Sequence, residues 1–245
     1  EYSYIFRWLL VKGIILNTRP KKSAAAYKKI WWDEGSPLIV LSKKLFSKVE
    51  SLVKIPVSLA MRYGSISIHK GLKELESKGV KEVIVLPLYP HYAMSSYETV
   101  VEKVNKEISS SFPELKKIII PPFYDDEDYI DVMCKNISSN IKGIDYDHIL
   151  FSYHGIPESH IKISDTTKSH CFKEADCCNK NSEAHKTCYR HQVLETTKLI
   201  IKKLGIKDDK YSNAFQSRLP LQPWLKPYTD FELKRLPKDC LLYTS

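Results

Sequence analysis

The sequence predicts an α/β protein with two lobes, each a parallel sheet flanked by helices. Short runs rich in Val, Ile and Leu recur along the chain, each followed by a stretch of helical period, and that alternation belongs to βαβ units. The run from Glu82 to Leu88 is almost continuously apolar, the pattern of a strand buried on both faces. At 245 residues, 43% hydrophobic and 27% charged, the chain is long enough for two modest domains and ordinary enough to bury a core.

Tyr2 to Ile15 reads as helix or loop leading to the basic stretch Arg19-Pro20-Lys21-Lys22. Ser23 to Trp32 is expected to be helical, Gly35-Ser36-Pro37 a turn, and Leu38 to Val53 a helix with Leu41, Leu45, Val49 and Leu52 on one face. Strand and helix then alternate. Ile55 to Met61 is a predicted strand, and Ile66 to Lys78 a helix closed by Gly79. The strand at Glu82 follows. Ser95-x-x-Glu98 has the form of a capping box before a helix carrying Tyr97, Val101, Val104 and Ile108. Lys117 to Pro121 is a short strand, and Asp126 to Ile141 a helix with Ile130, Met133, Ile137 and Ile141 in register. Ile149 to Phe151 begins a strand that Gly155 and Pro157 break. Cys188 or Tyr189 to Leu204 is a helix ended by Gly205, and Tyr211 to Gln216 is the last strand. A boundary near Gly143 divides the chain into lobes 1–143 and 144–239. The closing Cys240 to Ser245 reads as a translated sequencing adapter and is set aside from the fold, and the start at Glu1 without Met suits a fragment.

The net charge is +9, but it is carried mostly by scattered lysines. No arginine-rich arm, zinc-finger spacing or RNA-binding signature is present, so no nucleic-acid partner is expected. No apolar run reaches the ~20 residues of a membrane span. The opening segment lacks the marks of a signal peptide, and the cytoplasm is the expected compartment. Phe6 to Leu10 is apolar enough for peripheral membrane contact, or for docking on a strand.

The residues after the strands carry the chemistry. They are Arg62 and Tyr63, then Tyr89-Pro90-His91-Tyr92, then Phe123 and Tyr124, then His154, then Gln216-Ser217-Arg218 followed by Trp224. In a parallel sheet such ends share one edge, where open α/β folds bind ligands. A histidine there can ligate a borderline metal or accept a proton near neutral pH; alone, it would more simply be a locally bonded loop residue. An aromatic slot with a histidine inside and basic residues at its mouth suits a flat, apolar, acidic-edged ligand, such as a tetrapyrrole with propionates. A nucleotide competes, but no glycine-rich phosphate loop follows a strand and the chain has only eight glycines.

Four of the six cysteines, Cys171, Cys177, Cys178 and Cys188, fall in one polar span with His170 and His185. The spacing is not that of a zinc finger, and the adjacent Cys177 and Cys178 make a simple disulfide hairpin awkward. Cys134 lies in a helical pattern and reads as a buried apolar residue.

The motifs MRYG (61–64), LPLYPHYAMSSYET (86–99), FSYHGIP (151–157), CYRHQVLETT (188–197) and FQSRLPLQPWLKPYTD (215–230) resemble ferrochelatases, which insert ferrous iron into protoporphyrin to make haem. RPKKSAAAYKKIW (19–31) with Gly35-Ser36-Pro37 resembles the family's propionate-contacting region, so the likeness covers nearly the whole chain. It implies two Rossmann-like chelatase lobes and a porphyrin substrate. It implies His154 as the catalytic residue and ferrous-iron ligand, or the acceptor of pyrrole protons. By the same likeness Tyr63, Tyr89 and Trp224 wall the ring, and Arg19, Lys22, Tyr27 and Ser36 hold the propionates. Gln216 and Ser217 contact substrate, and Arg62 and Arg218 either do so or brace strand ends through ion pairs. Some bacterial ferrochelatases carry a [2Fe–2S] cluster on four internal cysteines, and Cys171, Cys177, Cys178 and Cys188 resemble such a set; zinc and reduced spectator thiols are the other readings. The family's first strand with its glycine-rich turn, and its last strand, final helices and metal-site glutamate, fall outside the matched stretch. Pro220 stands where the family has glycine. A polypeptide limited to these residues is therefore expected to be inactive. The other classes to weigh are chelatases for coproporphyrin or sirohydrochlorin, and a non-catalytic iron–sulfur or tetrapyrrole-binding module.

Overall fold

A computed structural model describes residues 8, 12–13, 16–220 and 222–236, apart from a few side chains before residue 23. The chain divides into two compact units between Lys81 and Glu82.

Among the described residues the first unit holds α1 (Leu16–Lys28), α2 (Pro37–Leu52) and α3 (Ile68–Ser77). α1 begins and ends earlier than the sequence pattern placed it. Pro37 opens α2, where a missing N–H costs nothing. The expected stripe of Leu41, Leu45, Val49 and Leu52 runs along α2 but is exposed. The Ser67 side chain caps α3 by accepting from the Lys70 amide at 3.2 Å. Gly79, at φ +78°, follows the helix end in the left-handed conformation that favours glycine. The predicted strand over Ile55 to Met61 does not form. Among the described residues that segment makes a single bridge, Met61 to Ser67, and no strand lies alongside to supply the rest of a ladder.

Among the described residues the second unit carries two parallel pairs. β1 (Glu82–Val85) pairs with β2 (Lys116–Ile119), Glu82 opposite Lys116. The crossover between them is a π-helical turn (Met94–Glu98) leading into α4 (Thr99–Ser111). Ser95 and Glu98 make no capping box: neither helix start carries a side-chain cap, because the turn runs directly into α4 without an extended residue between them. α5 (Glu127–Ile141) follows, capped by Asp126, whose carboxylate accepts from the Tyr129 amide at 3.0 Å. Glu127 and Asp128 add negative charge where the helix dipole favours it.

β3 (Ile149–His154) pairs with β4 (Tyr211–Gln216) over six residues, ending with His154 opposite Gln216. Their crossover runs through α6 (Glu158–Ser164), the cysteine loop and α7 (Tyr189–Leu204); α8 (Thr229–Arg235) follows β4. Gly205 closes α7 at φ +66°, as the sequence predicts. The core of the unit gathers Ile156, Ile161, Val193, Phe215 and Leu225 around this crossover. α5 packs Ile130 and Cys134 against Ile200 of α7, so Cys134 is the buried apolar residue expected.

The pattern of β1 as a strand buried on both faces does not hold. Val83 is buried, but Ile84 is 62% exposed and Leu86 and Leu88 are also exposed, since among the described residues β1 has one neighbouring strand. The architecture is a mixed α/β fold of small parallel sheets flanked by helices.

Candidate active site

β3 and β4 run side by side and stop together, and the reason is local. The Gly155 amide donates to the Gln216 carbonyl at 2.6 Å. A Cβ on Gly155 would lie 2.8 Å from the Ser217 carbonyl oxygen and 2.9 Å from that of Gln216. Only glycine lets the two backbones approach this closely. Ser217 then turns away at φ +67°, a conformation uncommon outside glycine and frequent at functional sites. Gly155→Ala is expected to lose about 1–3 kcal/mol of stability, as overpacking does, measured by urea unfolding.

This end presents His154, whose side chain is exposed. Its own carbonyl accepts from the Tyr189 hydroxyl at 2.8 Å. Gln216 stands opposite it, also exposed. Trp224 bridges to Pro157 beside the same end and is half-buried; its indole nitrogen is buried with no hydrogen-bond partner. Arg218 makes a two-point ion pair with Asp230, at 2.6 and 3.1 Å, and lies over the rings of Tyr228 and Phe231. The pair joins the segment after β4 to α8. Tyr89 follows β1 in the same unit, 38% exposed.

The remaining predicted contacts lie in the first unit. Tyr63 is 76% exposed with the Arg62 guanidinium 4.7 Å from its ring centroid. Tyr27 on α1 is exposed, and Ser36 precedes α2 without using its side chain as a cap. Arg19 and Lys22 are on α1, but their side chains lie outside the described residues, as does the apolar segment Phe6 to Leu10 apart from Trp8.

One buried polar stripe escaped the sequence pattern. Gln192 is fully buried; its Oε1 accepts from the Tyr92 amide at 2.6 Å while Nε2 donates to the carbonyls of His185 and Lys186. Thr196 donates its hydroxyl proton to the Tyr124 carbonyl at 2.7 Å, so His91 Nε2, 2.9 Å away, must be the donor in their contact. Burial draws the His91 pKa down to about 4 and keeps the ring neutral. Tyr189, Gln192 and Thr196 lie three and four residues apart on α7 and tie the end of β3 and the segments after β1 and β2 to one helix. The available signal was polar residues on the inward face of a helix.

All four loop cysteines are buried and unpaired by disulfides. Hydrogen bonds from the thiols of Cys171 and Cys178 draw the Cys188 pKa well down, and the His191 amide adds a third donor at 3.5 Å. Cys177 lies close enough to act electrostatically on both Cys171 and Cys178. Three imidazoles back the loop. His170 and His185 meet the Cys177 carbonyl at 2.7 and 3.2 Å, His191 meets that of Cys178 at 2.8 Å, and His185 stacks on His191. The loop is nucleated by Asp165, 3% exposed, whose carboxylate accepts from the amides of Thr167, His170 and Cys171 and from the Thr167 hydroxyl. Burial opposes ionisation there, but these hydrogen bonds outweigh it and hold the carboxyl well below its ordinary range. Among the described residues no three His, Cys, Asp or Glu side chains are arranged to hold a single metal ion. Four buried thiols, one favouring the thiolate, do match in donor chemistry the ligands of a cluster that spreads them over two irons.

A histidine and a glutamine are exposed at the carboxyl ends of parallel strands in an α/β protein, with a tryptophan beside them, the edge at which open α/β folds bind ligands. The ferrochelatase family model matches residues 1–241. The ferrochelatase of Opitutus terrae is 46% identical over 235 residues, 95% of this chain and 68% of that protein. Those of Pseudomonas fluorescens SBW25 and Stutzerimonas stutzeri A1501 are each 42% identical over 232 residues, 94% of this chain and 68% of the relative. The chain belongs to the ferrochelatase family, lyases of haem biosynthesis that take a porphyrin and ferrous iron as substrates. Among the described residues no helix is long and apolar enough to cross a membrane.

Proposed function

We propose that the full-length protein inserts ferrous iron into protoporphyrin, with His154 as the group where metal and pyrrole protons are handled. The observation that carries this reading is the exposed imidazole at the end of β3, held on a backbone bonded on both sides. Insertion replaces two pyrrole N–H bonds with bonds to iron and releases two protons. A ring nitrogen at the sheet edge suits either the transfer of the ion or the acceptance of a proton. In this reading Tyr63, Tyr89 and Trp224 grip and bend the macrocycle, and Arg19, Lys22, Tyr27 and Ser36 hold its propionates. Gln216 and Ser217 contact the ring edge. Arg62 stays a candidate contact. Arg218 contacts the porphyrin or braces the end of β4 through its pairing with Asp230. Two Rossmann-like lobes, divided near Gly143, belong to the same reading.

The partner carboxylate of His154 is expected from the portion of the relatives that lies beyond the match. Peripheral membrane contact through Phe6 to Leu10 and a cytoplasmic setting are further parts of the proposal. Side-by-side anaerobic assays with protoporphyrin and coproporphyrin test the substrate. Faster insertion with protoporphyrin is expected; a preference for coproporphyrin would reassign the substrate within the same chemistry.

We further propose that Cys171, Cys177, Cys178 and Cys188 hold a [2Fe–2S] cluster, supported by the burial of all four and by the nearness of Cys171 and Cys178 to Cys188. Such a cluster supplies a redox-active, rigid cross-link. Anaerobically purified protein is expected to show broad charge-transfer absorption that disappears in Cys188→Ser. A featureless spectrum would leave zinc or spectator thiols.

A further inference from the structure

We infer that Tyr189 is a positioning residue that links the four-cysteine loop to His154. The inference rests on the reading of His154 given above. Cys188 caps α7, its sulfur accepting from the His191 amide at 3.5 Å, and it is buried with the other three cysteines of the loop. Tyr189 is the next residue, 8% exposed, and its hydroxyl donates to the His154 carbonyl at 2.8 Å. That carbonyl belongs to the same peptide group as the Gly155 amide, which donates to Gln216 at 2.6 Å.

The peptide plane after His154 is therefore held at both polar ends, one from α7 and one from β4. Holding the plane limits rotation about the His154 Cα and so fixes the direction in which the imidazole leaves the backbone. The Tyr189 ring is itself set by the edge-on ring of His91, centroids 5.9 Å apart. One peptide bond thus joins the residue whose sulfur lies in the loop to the residue whose hydroxyl bonds the site's main chain. A change in what the Cys188 sulfur binds shifts the first turn of α7, and Tyr189 carries that shift to His154.

The test uses the full-length protein. Tyr189→Phe keeps the packing and removes only the hydroxyl. Its matched control is Tyr153→Phe, which removes a hydroxyl bonded to Thr197 at 2.7 Å on the same strand–helix contact without touching the His154 carbonyl. Tyr189→Phe is expected to lower kcat for metal insertion roughly fivefold, the weight of one neutral hydrogen bond, at unchanged porphyrin KM. It should also speed hydrogen exchange at the Gly155 amide in the absence of substrate. Tyr153→Phe should do neither. Cys188→Ser retains a capping oxygen and loses the sulfur; it should speed the same exchange, and adding Tyr189→Phe to it should add nothing.

Wild-type kcat and exchange in Tyr189→Phe, equal losses in the two phenylalanine variants, or effects of Cys188→Ser and Tyr189→Phe that simply multiply would each overturn the link. Full activity of His154→Ala would instead remove the catalytic reading of His154, while the exchange comparison would still decide whether the clamp exists.

Discussion

Replacing His154 with alanine is expected to slow ferrous insertion by about two to four orders of magnitude, the range that a positioned acid–base group contributes. Porphyrin affinity should be unchanged, because the walls and propionate contacts proposed for the ring lie on other residues. Folding should be nearly unaffected. β3 is held by main-chain pairing to β4, and the His154 side chain is exposed, so the stability change should stay within about 0.5 kcal/mol. Activity, porphyrin fluorescence quenching and urea unfolding on the same preparation separate these effects. Unchanged insertion would show that the proton and metal steps happen elsewhere.

The second large effect is on stability. Asp165→Ala removes the acceptor for three amides and a hydroxyl at once. Unpaired buried donors cost about 1–3 kcal/mol each, and partial rehydration leaves an expected loss of about 3 kcal/mol or more, read by chemical unfolding. Because two of those amides belong to His170 and Cys171, the cysteine loop should loosen first. Acid titration gives an independent reading. The Asp165 carboxyl is depressed in the folded state, so its contribution is present above the unfolded value of about 3.9 and is lost as pH falls below it. His91 acts earlier. Its folded pKa of about 4 lies below the unfolded value of about 6.5, so the unfolded chain takes up the proton first and stability falls as pH drops between the two. The wild type should therefore lose stability in two acid stages, the lower one shared with the depressed carboxyls of Glu74 and Asp230 and reduced in Asp165→Ala. A single stage in both would contradict the assignment.

Much of the second unit was legible in the sequence. The β3 and β4 runs, the glycine after α7 and the inward residues of α5 follow from apolar pattern and turn residues alone. The gathering of His154, Gln216 and Trp224 followed from asking what stands at strand ends. Other features depend on partners far along the chain. The run at Ile55 has strand composition, but composition cannot supply a neighbouring strand. Ser95 and Glu98 have capping spacing, but the turn before α4 is already helical. Tyr189, Gln192 and Thr196 make a polar face whose burial depends on the crossover that packs α7 against the segments after β1 and β2. Asp165 had no signal at all, since its partners are main-chain amides.

The most direct test of the central claim is anaerobic incubation of full-length protein with protoporphyrin and ferrous iron, following the visible spectrum of the free-base porphyrin. The account predicts conversion to the iron porphyrin by the wild type and conversion slowed about a hundredfold or more in His154→Ala with porphyrin still bound. Absence of conversion by the wild type, or equal conversion by both proteins, would contradict it.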